Sequence, residues 1–307
     1  MNSLQISYDD FFVPGKGRRV TVASDHGSNR VALVISNTTE GVPFSVLVRC
    51  GGMAGIINFA GATARSDRRE QERQFYFFQS MFGGNPDMPF RTANFGAMSG
   101  GTRVLKSSLN EADPTGIMTI VEVPGLLHRI NPGIRTLGHA PRTAETLGYE
   151  GDHSSFSIAD EADAKVIANP DIHLLWLVQK NASDTSEWDG DVQLYPELME
   201  IIQSTGSGTA AQVFWSGGGV TAKEIAVSLK YGFPILLPRG SGRVVDSMVQ
   251  ALDDAWHKVE NVHREALEEL FATPALTRNL DCITVIDSDG NGPRQGQRWL
   301  EQHGFAA

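Results

Sequence analysis

The chain has 307 residues and a formal net charge of -10, with 41% hydrophobic and 20% charged residues, the balance of a folded globule rather than a disordered chain. The acid excess argues against nucleic-acid binding, which calls for a basic face. It leaves room for a small anionic ligand held by helix N-termini and a few arginines.

Two cysteines, Cys50 and Cys282, are too few for a disulfide framework and form no zinc-type cluster, so no metal is expected. The amino terminus lacks the basic-then-apolar pattern of a secretory leader, and no apolar run approaches the ~18 residues of a membrane span. A cytoplasmic protein without membrane contact is expected.

In chain order, Arg19–Ala23 and Arg30–Ile35 read as short strands, with Asp25–Asn29 as the turn between them. From Phe44 the pattern changes to strand, glycine cluster, helix. Phe44–Cys50 precedes Gly51 and Gly52, and Phe95–Met98 precedes Ser99-Gly100-Gly101-Thr102. Thr115–Val123 reads as a further strand ending in Pro124-Gly125, and the segment 125–152 as a long irregular loop, a lid or mobile element. Ile172–Val178 is strand-like and Pro196–Gln203 helical. Ala211–Trp215 leads into Ser216-Gly217-Gly218-Gly219 and a helix from Thr221 to Tyr231; Pro234–Pro238 leads into Arg239-Gly240-Ser241-Gly242. A long helix is expected over Asp253–Phe271, with Trp256, Val259, Leu267 and Leu270 on one face. The strand Cys282–Ile286 and a short helix from Gln295 close the chain.

Continuous apolar runs that each leave into a helix predict an α/β fold. The expectation is a Rossmann-like, doubly wound and mostly parallel sheet with helices on both faces. It forms a single domain over 1–307, with a β extension over 1–43 and a helix–strand–helix extension over 253–307. Ligands of such sheets sit beyond the carboxyl ends of the strands, and each glycine cluster is placed there. Glycine lets the backbone approach a phosphate, and the following helix offers unpaired N–H groups. A single cluster says little beyond a tight turn, but several at equivalent positions point to a shared anion pocket. Gly96–Gly101 has the spacing of a phosphate-binding loop, yet Thr102 stands where that loop needs lysine. No G-x-G-x-x-G follows the first strand, which argues against a standard NAD dehydrogenase.

Five segments carry a resemblance. Gly51-Gly52-Met53-Ala54-Gly55, Ser99-Gly100-Gly101-Thr102, Asp152-His153-Ser154-Ser155-Phe156 and Ser216-Gly217-Gly218-Gly219 followed by Lys223-Glu224 resemble motifs of the SLOG superfamily. The likeness is to its bacterial LSDAT-type members, related to the amino-terminal nucleotide-binding region of TRPM channels. Gly240-Ser241-Gly242-Arg243-Val244-Val245-Asp246 is the most specific match, to a GSGR-x-A-D motif. Arg103-Val104-Leu105 departs from the family's continuation of its GGT turn. The resemblance spans roughly residues 20 to 255. It implies a Rossmann-like fold and a nucleotide-derived ligand such as ADP-ribose, an NAD derivative or a cyclic nucleotide, with no further cofactor required. Ser99 to Arg103, Gly217 to Thr221 and Gly240 to Arg243 would contact phosphate and ribose. His153, Ser155 and Glu224 would complete the pocket.

Arg243 also has a physical case of its own. An arginine opening a helix after Gly-Ser-Gly can grip phosphate bidentately while backbone N–H groups share the charge, and Asp246 could orient it from i+3. The bland alternative is a salt bridge at a helix start.

Ser216–Glu224 can also be laid on the PGG-x-GT-x-x-E motif of LOG phosphoribohydrolases. Thr221 and Glu224 match; Ser216 and Val220 do not, and no arginine lies within residues 181–215. If a glycosidic bond is cleaved, Glu224 is the catalytic candidate. A serine hydrolase built on Ala97-Met98-Ser99-Gly100-Gly101, with Asp246 and His257 or His263, is a weaker alternative. Asp287–Gly292 matches half of a calcium loop, but Arg298 stands where the bidentate glutamate belongs, so a polar turn is expected. Arg65–Arg73 reads as the solvated face of a helix. The four aromatics Phe75 to Phe78 cannot share one core, which leaves some for a partner subunit in a homo-oligomer. Nothing in the chain resembles an output domain, so a ligand sensor of this kind would act through a separate effector partner.

Overall fold

The computed structural model describes residues 6–13, 18–25, 31–35, 53, 55–61, 68–83, 94–100, 102–106, 120–140, 156–157, 164–168, 172, 175–179, 192, 194–205 and 209–305. The strands in chain order are β1 (Ile6–Val13), β2 (Arg18–Asp25), β3 (Val31–Ile35), β4 (Gly55–Gly61), β5 (Gly96–Gly100), β6 (Thr102–Lys106), β7 (Arg135–Ala140), β8 (Phe156–Ser157), β9 (Ala164–Ala168), β10 (Leu175–Gln179), β11 (Thr209–Trp215), β12 (Ile235–Arg239) and β13 (Ile283–Asp287). The α-helices are α1 (Arg68–Gly83), α2 (Val123–Ile130), α3 (Leu194–Thr205), α4 (Gly219–Tyr231), α5 (Arg243–Leu252), α6 (Asn261–Ala272), α7 (Pro274–Thr277) and α8 (Gly292–Gln302).

One sheet runs in the order β1-β2-β3-β10-β7-β5-β4-β11-β12-β13. From β3 to β13 every neighbouring pair is parallel. The β1–β2 and β2–β3 pairs are antiparallel and extend one edge. The expected Rossmann-like α/β sheet is therefore present, with the expected β addition at the amino end. β6, β9 and β8 form a separate antiparallel sheet. No helix among the described residues is long and apolar enough to cross a membrane.

Side-chain alternation builds two cores. Ile57 and Phe59 of β4, Val213 and Trp215 of β11 and Leu236 of β12 face one way, packing with Phe77, Phe78, Met81 and Phe82 of α1 and Trp299 and Leu300 of α8. Phe214, Ile235 and Leu237 face the other way, against Ile225 and Leu229 of α4, Val245 and Met248 of α5 and Leu267 of α6. Both faces are thus covered, as a parallel sheet requires. Between β4 and β11 the buried Asn58 donates from Nδ2 to Gln212 Oε1 at 2.9 Å.

Three expectations need correction, and one lies outside the described residues. The central strand β4 lies at 55–61, and the Phe44–Cys50 run falls outside the described residues. Gly55, the third glycine of the first cluster, opens β4 at its amino end, whereas the ligand side of the sheet is the carboxyl end. Of the run expected as the strand Thr115–Val123, residues 115–119 lie outside the described residues, and the rest is helical: Ile120–Glu122 is a 3-10 turn leading into α2, where Pro124 and Gly125 are buried in the first turn, a position that tolerates proline. The stretch taken as a long loop thus holds most of α2 and all of β7, which lies between β5 and β10. The helix expected over 253–271 is interrupted: α5 closes with Asp254 N–H to Ala251 O at 3.1 Å and Ala255 N–H to Gln250 O at 2.8 Å. That is a Schellman closure, with Asp254 at φ 58 in the left-handed position usually given to glycine.

Candidate functional site

The path of the chain sets where a ligand crevice opens. From β4 the chain proceeds to β5 and β7 on one side; on its return it enters β11 on the other side of β4 and continues to β12 and β13. The direction of winding reverses between β4 and β11, and crevices of open α/β sheets open at such a switch, beyond the strand carboxyl ends. Here those ends are Gly61 and Trp215, which pair directly.

The loop after β11 is Ser216-Gly217-Gly218, and α4 begins at Gly219. Ser216 adopts φ 58 and Gly217 φ 90. At Gly217 a side chain would meet Thr221, whose Cβ lies 2.6 Å from the position of a Cβ. Thr221 is buried beneath this turn. No side chain caps α4, whose N-cap is Gly218, so its first N–H groups point out of the helix end as a local positive pole. The Ser216 hydroxyl is fully buried and has no hydrogen-bond partner among the described residues.

The loop after β12 lies alongside. Ser216 N–H donates to Ser241 Oγ at 3.2 Å, and Val244 N–H donates to Gly217 O at 3.4 Å. Gly242 is the N-cap of α5 at φ 103, and Arg243 follows at φ 52. Non-glycine residues at positive φ are uncommon, and Ser216 and Arg243 place two of them at one crevice. Arg243 Nη2 lies 3.9 Å from where a Gly218 Cβ would stand. Among the described residues the Arg243 guanidinium has neither an ion-pair nor a hydrogen-bond partner.

Asp246 does something other than orient Arg243. Its Oδ1 accepts from Gly240 N–H at 2.6 Å and its Oδ2 from Gly242 N–H at 3.1 Å. The carboxylate thereby occupies amides that the sequence assigned to phosphate. Burial raises the Asp246 pKa from its ordinary value, opposed by these two amides and by Arg73 and Arg239. The anion-receptive end of the crevice is accordingly the start of α4 with Arg243, and the Gly240–Gly242 turn is a brace closed by its own acid.

Two further residues come from α1, where the sequence suggested only a solvated face. Arg73 Nη1 donates to Gly240 O at 2.7 Å, fastening α1 to the loop after β12. Glu70 Oε1 lies 3.8 Å from the position of a Gly242 Cβ. The acidic–basic composition of Arg65–Arg73 gave no sign of this, since the contact depends on strand order.

Glu224 is buried at 6% exposure on α4, one turn beyond Thr221. Ser99 is fully buried inside β5, and its hydroxyl lies 2.6 Å from Phe59 O and 3.3 Å from Ile120 O, so it ties β5 to β4. A strand, β6, follows it in place of the helix that a nucleophile elbow requires, and His257 is exposed while His263 is buried in α6. The second cluster thus departs from the strand–turn–helix expectation: Gly100 ends β5, and Thr102 and Arg103 open β6 opposite Ala168 and Ile167. Gly51, Gly52, Gly101, His153 and Ser155 lie outside the described residues. The structure therefore brings together the third and fourth glycine-rich loops, residues 216–219 and 240–243.

Comparison with known proteins adds nothing to this reading. No protein-family model matches the chain, and no curated protein matches it. A solved structure, the structural-genomics protein TM1055, aligns over 81% of this chain and 99% of its own at 14% identity and a TM-score of 0.40. So distant a likeness carries no inference about chemistry.

Proposed function

We propose that the protein binds a phosphate-bearing, nucleotide-derived small molecule at the carboxyl ends of β4, β11 and β12. The carrying observation is the convergence on one point of an uncapped helix start, Gly218–Val220, and an arginine, Arg243, with no ion-pair or hydrogen-bond partner among the described residues. The helix end and the guanidinium both favour an anion, and a phosphate can accept from both at once. The buried Ser216 hydroxyl beside them is a polar group left for a ligand or solvent to satisfy. The GSGR segment that resembles the SLOG superfamily falls at this crevice, in keeping with an ADP-ribose-like, NAD-derived or cyclic nucleotide ligand.

A second reading has one observation in its favour. Thr221 and Glu224 retain the T-x-x-E spacing of the phosphoribohydrolases, and Glu224 is a buried carboxylate one helical turn inside the anion-receptive end. In that case the ligand would be cleaved to free base and ribose phosphate.

A thermal-shift panel of ADP-ribose, NAD, AMP, cyclic nucleotides and cytokinin-type monophosphates tests both, with Arg243→Ala beside the wild type and chromatography of each mixture after incubation. A ligand that binds only the native state must raise the melting temperature above its dissociation constant. A shift lost in Arg243→Ala, with the nucleotide recovered intact, is the result expected of a sensor. Release of free base, abolished in Glu224→Gln, would favour the hydrolase. No shift with any phosphate compound would overturn both.

A further inference from the structure

Resting on the nucleotide-binding reading above, we infer that Asp246 determines specificity at this crevice: it closes the second of two adjacent helix starts to anions, so that the site takes ligands with a single phosphate and turns away those with a pyrophosphate. The two starts are those of α4, at Gly219, and α5, at Arg243. They are joined where Val244 N–H, in the first turn of α5, donates to Gly217 O just ahead of α4 at 3.4 Å. Each helix start directs amides beyond its end and carries partial positive charge. Two such starts side by side would suit the two linked phosphates of a pyrophosphate, one at each.

The starts are not equivalent. α4 has no acid in its first turn and no side-chain cap, and Gly219 and Val220 are exposed, as is Arg243 beside them. An anion can therefore reach this start from solvent. α5 instead has Asp246 in its first turn. That carboxylate folds back over the turn, with Oδ1 accepting from Gly240 N–H at 2.6 Å and Oδ2 from Gly242 N–H at 3.1 Å. Ser241 N–H is given to Pro238 O at 3.1 Å and Val244 N–H to Gly217 O. Each residue has one backbone donor, so the amides of Gly240, Ser241, Gly242 and Val244 are all committed within the protein.

The cations near Asp246 do not reopen the turn. Arg73 and Arg239 both favour its ionised form. Arg73 Nη1 is itself bound to Gly240 O at 2.7 Å, and Arg239 pairs with Asp253 at 2.8 Å. A second phosphate would have to displace the Asp246 carboxylate from two amides and lie beside its charge. Opposite-charge attraction and free donors thus meet at the start of α4 with Arg243 and not at the start of α5. Of the ligand classes that the resemblance implies, this leaves mononucleotides with one phosphate, cyclic ones included, ahead of ADP-ribose and NAD.

Titration calorimetry on the full chain with AMP and ADP, without divalent cations, tests this. The wild type is expected to bind AMP, and to bind ADP no more tightly although ADP carries the greater negative charge. Asp246→Ala frees both amides and should favour ADP over AMP by about tenfold to a hundredfold, the range for hydrogen bonds to a charged group. Asp246→Asn keeps one acceptor and loses the charge, so its preference for ADP should fall between; if Asp246→Ala does not fold, this variant decides alone. The readout is the ratio of two affinities, which a general weakening of the loop leaves unchanged. ADP bound about tenfold more tightly than AMP by the wild type, or a ratio unchanged in the folded variants, would overturn the role of Asp246 and leave the nucleotide reading standing. No binding of either nucleotide by the wild type would overturn both.

Discussion

Alanine at Gly217 and alanine at Gly219 should have opposite effects although the two positions are two residues apart. Gly217 sits at φ 90, where a side chain costs about 1–2 kcal/mol in backbone strain. Its Cβ would also lie 2.6 Å from Thr221 Cβ and 2.8 Å from Thr221 Cγ2, inside contact distance of a buried side chain that cannot swing away. Overpacking of that kind adds about 1–3 kcal/mol. Gly217→Ala should therefore lose roughly 2–5 kcal/mol. Gly219 opens α4 with nothing within 4 Å of its Cβ position. Gly219→Ala should be neutral or gain up to about 1 kcal/mol by restricting the unfolded chain. Urea unfolding measures both, and the midpoints should separate while the slopes stay equal. Gly217→Ala with a wild-type midpoint, or equal losses at both positions, would refute the geometry assigned to this loop.

Other expectations follow from the same contacts. Asp246→Ala leaves the Gly240 and Gly242 amides without their acceptor and should cost about 1–3 kcal/mol, with faster hydrogen exchange confined to those two amides. Unchanged exchange there would contradict the brace. Ser99→Ala should cost about 1 kcal/mol by losing the bond to Phe59 O, and an active-site phosphonate should not label the wild type; labelling at Ser99 would restore the hydrolase reading. His263 gives a pH dependence. Burial lowers its pKa, Glu260 opposes and Arg243 adds to the lowering, so the unfolded chain binds the proton more readily than the folded one. Its contribution is complete above the unfolded value near 6.5 and is lost as pH falls toward the lower folded value. The melting temperature should drop between about pH 7 and pH 5 more steeply in the wild type than in His263→Gln; parallel curves would remove His263 from the account.

Much of the carboxyl half was legible in the sequence because each of its parts is local. The runs Ala211–Trp215 and Pro234–Pro238 are apolar apart from Gln212, and each is followed by glycines placed beyond the carboxyl end of its strand. The central strand β4 was not legible. It begins with glycine and carries Asn58 in its middle, a polar residue tolerated there because Gln212 of β11 accepts its hydrogen bond. α2 was hidden by Pro124-Gly125, a pair that usually marks a stop but here lies in a first turn. The glycines at 99–102 matched a strand–turn–helix pattern, yet the chain enters a second small sheet.

Within the candidate site the gap was one of pairing rather than of position. Arg243 and Asp246 were both found, and the i+3 spacing suggested a partnership. The fold of the turn instead brings the Asp246 carboxylate back onto Gly240 and Gly242. Glu70 and Arg73 reach the crevice because β4 neighbours β11, a long-range fact that no local pattern encodes.

The central claim concerns which amides meet the anion, and amide-resolved NMR titration with AMP addresses it directly. The account expects the largest shifts at Gly218, Gly219 and Val220 and at the Arg243 side chain, with Gly240 little moved because Asp246 already holds it. Shifts centred on Gly240 to Gly242, or shifts absent from the start of α4 while AMP binds, would contradict it.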